Sequence, residues 1–135
     1  MALRYRAFIF DDDETIRDLL VDLCEEAGWE AHGYESPAAS PMCVGGTVRW
    51  DNREDCVDLV IADVRMPDVN GVDFMWSAQL AGHAIDYAAM ISGFWTASME
   101  EQVRAMGVQV FRKPFSVTEM IAWLESSRAA GKPQP

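Results

Sequence analysis

Short apolar runs alternate with amphipathic stretches along nearly the whole chain, and that alternation admits few folds. Ala7, Phe8, Ile9 and Phe10 read as a strand, and Ile16, Leu19, Leu20, Leu23 and Ala27 follow at helical spacing until Gly28 stops them. A weaker strand is expected over residues 29–34 and a third over 57–62, apolar except for Asp58. A helix is expected over 72–80 and a fourth strand over 87–91. Met99, Val103 and Met106 mark a further helix closed by Gly107, and a fifth strand spans 108–111. The last helix starts at Ser116, whose capping-box partner is Glu119, with Val117, Met120, Ile121 and Leu124 as its buried stripe. Strands this apolar belong in a parallel sheet covered on both faces. Five of them with right-handed crossovers make a small, doubly wound α/β sheet. Residues 36–56, with Pro37, Pro41, Gly45 and Gly46, break the pattern and oppose a long regular helix. Residues 1–130 read as a single domain and 131–135 as a flexible tail.

The charge balance narrows the function classes. The 135 residues include 11 basic and 22 acidic ones, a formal net charge of −11. Nucleic-acid binding needs basic groups that displace counterions from phosphate, and anionic membrane surfaces need the same, so both are disfavoured. No stretch approaches the ~20 continuous apolar residues of a membrane span. Cys24, Cys43 and Cys56 are odd in number and lack a CxxC pair, which points to reduced thiols in a cytoplasmic setting. His32 and His83 have no ligand-spaced partners.

In a parallel sheet all strands end on one edge, and ligands bind outside those carboxyl ends. The first strand runs into Asp11, Asp12, Asp13 and Glu14, the third into Asp63, the fourth into Ser92, and the fifth into Arg112, Lys113 and Pro114. Asp13 has the place and chemistry of a helix N-cap. Asp11, Asp12 and Asp63 bring three negative charges to one rim, which a hard divalent cation such as Mg2+ relieves. With that charge neutralised a carboxylate can attack phosphorus, while Lys113 and Ser92 hold the phosphoryl oxygens. The constellation points to phosphoryl transfer onto an aspartate.

The ordered set Phe8-Ile9-Phe10-Asp11-Asp12-Asp13, Asp58-Leu59-Val60-Ile61-Ala62-Asp63-Val64-Arg65-Met66-Pro67-Asp68, Asn70-Gly71, Met90-Ile91-Ser92-Gly93 and Lys113-Pro114-Phe115 resembles the response-regulator receiver (CheY-like) domain. The resemblance covers roughly residues 5–127 and implies a flavodoxin-like fold with strand order 2-1-3-4-5. It implies Asp63 as phospho-acceptor from a phosphohistidine on a sensor histidine kinase or histidine phosphotransfer protein. Asp12, Asp63 and the Arg65 backbone carbonyl would hold Mg2+ (or Mn2+) directly, and Asp11 through water. Ser92 stands at the family's switch hydroxyl and Lys113 at its phosphate-binding lysine. Met66, Pro67 and Gly71 shape the loop beyond the acceptor, and the Lys113–Pro114 bond is expected to be cis. The face made by the family's fourth helix, fifth strand and fifth helix would engage a downstream protein or a second copy. Trp95 and Trp123 are candidates for that face.

The chain also departs from the family pattern. The segment between the second and third strands is longer than usual, which leaves the second helix poorly defined. The stretch 107–113 is slightly short, and Val110 stands where an aromatic switch residue is usual, with Phe111 next door as a candidate substitute. Arg65 and Phe94, each two residues beyond a key site residue, flank the path of attacking water and would tune the lifetime of the phosphorylated state. Two other readings remain open. Asp11-Asp12-Asp13-Glu14-Thr15 also fits the start of a haloacid-dehalogenase-type phosphohydrolase, with Asp11 as nucleophile and Asp13 as acid/base. That reading finds no acidic pair after Lys113, no cap insertion, and no use for Asp63. The other is a receiver-shaped interaction module that takes no phosphate.

Overall fold

A computed structural model describes residues 5–40, 43–44, 47–48, 57–67, 69–80 and 85–131. The elements in chain order are β1 (Arg6–Phe10), α1 (Glu14–Glu26), β2 (Glu30–Tyr34), a 3-10 turn (Pro37–Ala39), β3 (Cys43–Val44), β4 (Thr47–Val48), β5 (Leu59–Asp63), α2 (Gly71–Leu80), β6 (Tyr87–Ser92), α3 (Ala97–Ala105), β7 (Gln109–Arg112) and α4 (Val117–Ala130). The main sheet is parallel with order β2-β1-β5-β6-β7, which is 2-1-3-4-5 when only its own strands are counted. This is the doubly wound, flavodoxin-like α/β fold expected.

Strand periodicity divides the core in two. Phe8, Phe10, Val60, Ala62, Met90 and Val110 face α2 and α3, where they meet Val72, Phe74, Met75 and Val103. Their neighbours Ala7, Ile9, Leu59, Ile61, Ala89, Ile91 and Phe111 face α1 and α4 and meet Leu20, Leu23, Cys24, Met120 and Leu124. Successive side chains point to opposite faces, so an unbroken apolar run fills both layers at once. Each fully buried Phe or Ile contributes roughly 1.5–3 kcal/mol of transfer free energy. Burial also raises the Cys24 thiol to about 12, so it is a packing residue and not a nucleophile.

Local chemistry sets the helix ends. Asp13 Oδ1 accepts from the Thr15 and Ile16 N–H groups at 2.9 and 3.3 Å, and Gly28 (φ +97°) leaves α1 in the left-handed region. Ser116 Oγ accepts from Glu119 N–H at 3.2 Å and starts α4. Three strands begin later than the sequence suggests, β7 by a single residue at Gln109. Trp29 precedes β2 because its main-chain N–H closes α1 by donating to the Cys24 carbonyl at 3.0 Å, while its indole donates to the Leu124 carbonyl at 3.2 Å. Val57 and Asp58 precede β5, and Asp58 Oδ2 accepts from Arg6 N–H at 2.9 Å.

The irregular stretch from residue 36 holds the 3-10 turn and the antiparallel pair β3–β4, with no α-helix there among the described residues. Residues 132–135 of the expected tail, together with Cys56 and His83, lie outside the described residues. Among the described residues no helix is long and apolar enough to cross a membrane.

Candidate functional site

The parallel register delivers the expected residues to one rim. Asp11 directly follows β1, Asp63 ends β5, Ser92 ends β6, and Lys113 directly follows β7. Asp63 is paired with Ile91 and Ser92 with Arg112, which puts these exits side by side. The Lys113 ammonium lies 2.6 Å from Asp63 Oδ2 and 3.1 Å from Asp11 Oδ2, spanning two carboxylates from different strands. Asp11 is fully buried; its Oδ1 accepts from Asp13 N–H at 2.9 Å, while Oδ2 has the ion pair but no well-formed hydrogen bond. Asp63 Oδ1 accepts from Arg65 N–H at 3.0 Å. Asp12 is exposed and lines, with Asp63, Ser92 and Lys113, a cavity of about 310 Å3.

Burial pushes the Asp11 pKa up, opposed by the Asp13 N–H and Lys113 and reinforced by the Asp63 charge. Burial alone would lower that of Lys113, but its bonds and attraction to Asp63 and Asp11 outweigh it and the net shift is upward. Lys113 is therefore a fixed cation facing a surplus of negative charge. Asp11, Asp12 and Asp63 each offer an oxygen within 4.8 Å of the others, a hard donor set that fits Mg2+ or Mn2+. Asp11 Oδ2, buried with only the Lys113 ammonium at 3.1 Å, has room in its coordination for a cation or its bound water.

The loop after β5 is tightly built. Gly71 N–H donates to the Val64 carbonyl at 2.8 Å, and Asn70 Oδ1 accepts from Val72 N–H at 2.8 Å and starts α2. A Cβ at Gly71 would overlap the Asp63 carbonyl oxygen, so only glycine lets α2 start this close to the end of β5. The Arg65 guanidinium stacks on the exposed Phe94 ring, 4.8 Å from its centroid, and both residues line the cavity. Ser92 Oγ accepts from Phe94 N–H at 3.0 Å and lies 3.3 Å from its carbonyl.

The remaining candidates lie farther off. The Lys113–Pro114 bond is cis. Val110 packs on the α2–α3 side of the sheet, whereas Phe111 packs on the α1–α4 side with its ring 5.8 Å from Trp123. Phe111 therefore does not occupy the space that an aromatic side chain at position 110 would fill. Trp95 and Trp123 are both half-buried, and the Trp95 indole N–H donates to the Phe111 carbonyl at 2.9 Å. Sequence reasoning passed over Arg17, whose guanidinium reaches the Asp11 backbone. Its one trace in the sequence is Gly33, a glycine inside a strand.

The model of the response regulator receiver domain family matches residues 7–125. The chain belongs to that family. Among curated relatives, a probable transcriptional regulatory protein of Picosynechococcus is 26% identical over 127 residues, covering 90% of this chain and 48% of its own length. The transcriptional regulatory protein PdtaR of Mycobacterium tuberculosis is 26% identical over 125 residues, covering 92% of this chain and 57% of its own. This receiver thus spans about half the length of the curated relatives it matches. The solved receiver domain of the Francisella response regulator 1452 superimposes with a TM-score of 0.75 at 18% identity, over 96% of this chain and 100% of that one. At that identity the likeness concerns the fold alone.

Proposed function

We propose that this receiver accepts a phosphoryl group on Asp63 from a phosphohistidine of a sensor histidine kinase or histidine phosphotransfer protein. The observation that carries this reading is Lys113 spanning Asp63 and Asp11 beside the exposed Asp12. An Asp63 carboxylate oxygen attacks phosphorus in line, the P–N bond to the imidazole breaks, and the imidazole leaves with its electron pair and takes up a proton. Lys113 stabilises charge on the phosphoryl oxygens. Ser92 donates to another once its hydroxyl leaves Phe94. Asp12, Asp63 and the Arg65 carbonyl would hold Mg2+ directly and Asp11 through water, and the ion would supply charge neutralisation at the phosphoryl oxygens.

Movement of Ser92 pulls on the Gly93–Thr96 loop, and through Trp95 it reaches β7. The surface formed by α3, β7 and α4 is the one we assign to the downstream protein or second copy, as a two-state face biased by phosphorylation. Arg65 and Phe94 shield the acceptor from water and lengthen the phosphorylated state. The cytoplasm is the proposed compartment, with no nucleic acid or membrane bound by this domain.

The test is incubation with a small phosphodonor and Mg2+, followed by mapping of the labile phosphate. Label on Asp63 that disappears in Asp63→Asn supports the reading. Label on Asp11 that survives Asp63→Asn makes the protein a phosphohydrolase of the haloacid-dehalogenase type. An amide spectrum unmoved by Mg2+ with beryllofluoride makes it a phosphorylation-independent module. The buried, ion-paired state of Asp11 and the capping role of Asp13 count against the hydrolase.

A further inference from the structure

We propose that Arg17, seated on Gly33, is a positioning residue that holds Asp11 in place for the cation; the inference rests on the receiver reading above. Arg17 Nη1 donates to the Asp11 backbone carbonyl at 2.9 Å, six residues back along the chain. On its other side the Asp11 peptide N–H donates to the Tyr34 carbonyl at 3.1 Å. The main chain of Asp11 is thereby gripped at both polar groups, one from α1 and one from β2, while its carboxylate faces Lys113. The helix end fixes where Arg17 starts, because its own N–H bonds the carbonyl of the N-cap Asp13 at 2.9 Å.

Gly33 shows that this reach is built in. It is paired with Ile9 inside β2, where glycine weakens a strand, and it is absent from the glycines with positive φ. Backbone freedom therefore does not explain it. A Cβ at position 33 would lie 2.7 Å from Arg17 Cγ and 3.1 Å from both Arg17 Cδ and Val21 Cγ2. The glycine clears a channel for the Arg17 methylenes, and the channel leads to the Asp11 carbonyl. A half-buried arginine aimed at a main-chain oxygen beside a ligand acts as outer-shell support does in metal sites.

The experiment measures Mg2+ affinity of the full chain by calorimetric titration, wild type first, then Arg17→Ala, Arg17→Lys, Gly33→Ala and the Arg17→Ala/Gly33→Ala pair. Arg17→Ala is expected to weaken Mg2+ binding about tenfold, and Arg17→Lys to recover most of the loss. Gly33→Ala weakens binding in the wild-type background and changes nothing further when Arg17 is already alanine. If Arg17→Ala fails to fold, Gly33→Ala and Arg17→Lys decide. Wild-type affinity in both of these, alongside a lowered melting temperature, makes Arg17 a strut between α1 and β2 and overturns the proposal. A wild-type protein that binds no Mg2+ at millimolar concentration sinks the receiver reading itself, and this inference with it.

Discussion

The two rims of the main sheet treat charge in opposite ways. At the rim where the strands begin, polar side chains are matched by main-chain carbonyls, rings or single opposite charges, as Arg6 Nε is by Glu30 at 3.4 Å. Arg128 stacks 3.6 Å from the Tyr5 ring centroid and donates to the Gly28 carbonyl at 3.1 Å. The Tyr87 hydroxyl donates to the Gly131 carbonyl at 2.6 Å, the Trp29 indole to Leu124, and Arg6 N–H to the buried Asp58. At the rim where the strands end, three carboxylates crowd one ammonium, and Lys113 alone faces both Asp63 and the buried Asp11. One rim closes α4 onto the sheet. The other keeps an excess of negative charge of the kind that a divalent cation would balance.

Perturbing the acidic rim gives the largest effects. Removing its cation with Lys113→Ala leaves Asp11 and Asp63 facing each other, and after discounting for partial exposure costs about 2–3 kcal/mol in metal-free urea unfolding. Saturating Mg2+ recovers most of that loss; if it does not, the surplus charge is not held for a cation. Asp11→Asn has the opposite sign. It keeps an oxygen for the Asp13 N–H and removes a buried charge, so metal-free stability rises by about 1 kcal/mol while Mg2+ affinity falls. A drop in both would show that Asp11 is structural. At the opposite rim Tyr87→Phe lowers stability by about 1 kcal/mol and leaves Mg2+ affinity unchanged. A change in affinity there would mean that the two rims are coupled. The smallest effect concerns Cys24. Alkylation at neutral pH with peptide mapping finds this thiol unmodified until the chain unfolds, as a value of about 12 requires.

How much of this was legible beforehand depended on the range of the chemistry. The apolar strands identify themselves, because runs such as Leu59, Val60, Ile61 and Ala62 fit only a sheet covered on both faces. Once the strands are parallel, their exits fix which rim carries Asp11, Asp12, Asp63, Ser92 and Lys113. Caps are local, so Asp13 and Ser116 can be read from neighbouring residues. Strand starts are not, because they depend on where main-chain bonds go: the Trp29 N–H turns back to the Cys24 carbonyl at the end of α1. The pair β3–β4 has two-residue strands, too short for any periodicity. The divergence of Val110 and Phe111 was available from strand alternation alone. Arg17 was not, since a side chain that seeks a backbone oxygen has no sequence motif beyond the glycine it lies across.

The fit of Gly71 against the Asp63 carbonyl has a consequence for heredity. Any residue larger than glycine there thrusts a carbon against the Asp63 carbonyl, so a lineage that keeps this loop geometry can tolerate almost no drift at that position. A descendant with a larger residue at 71 must have moved the start of α2 away from the end of β5.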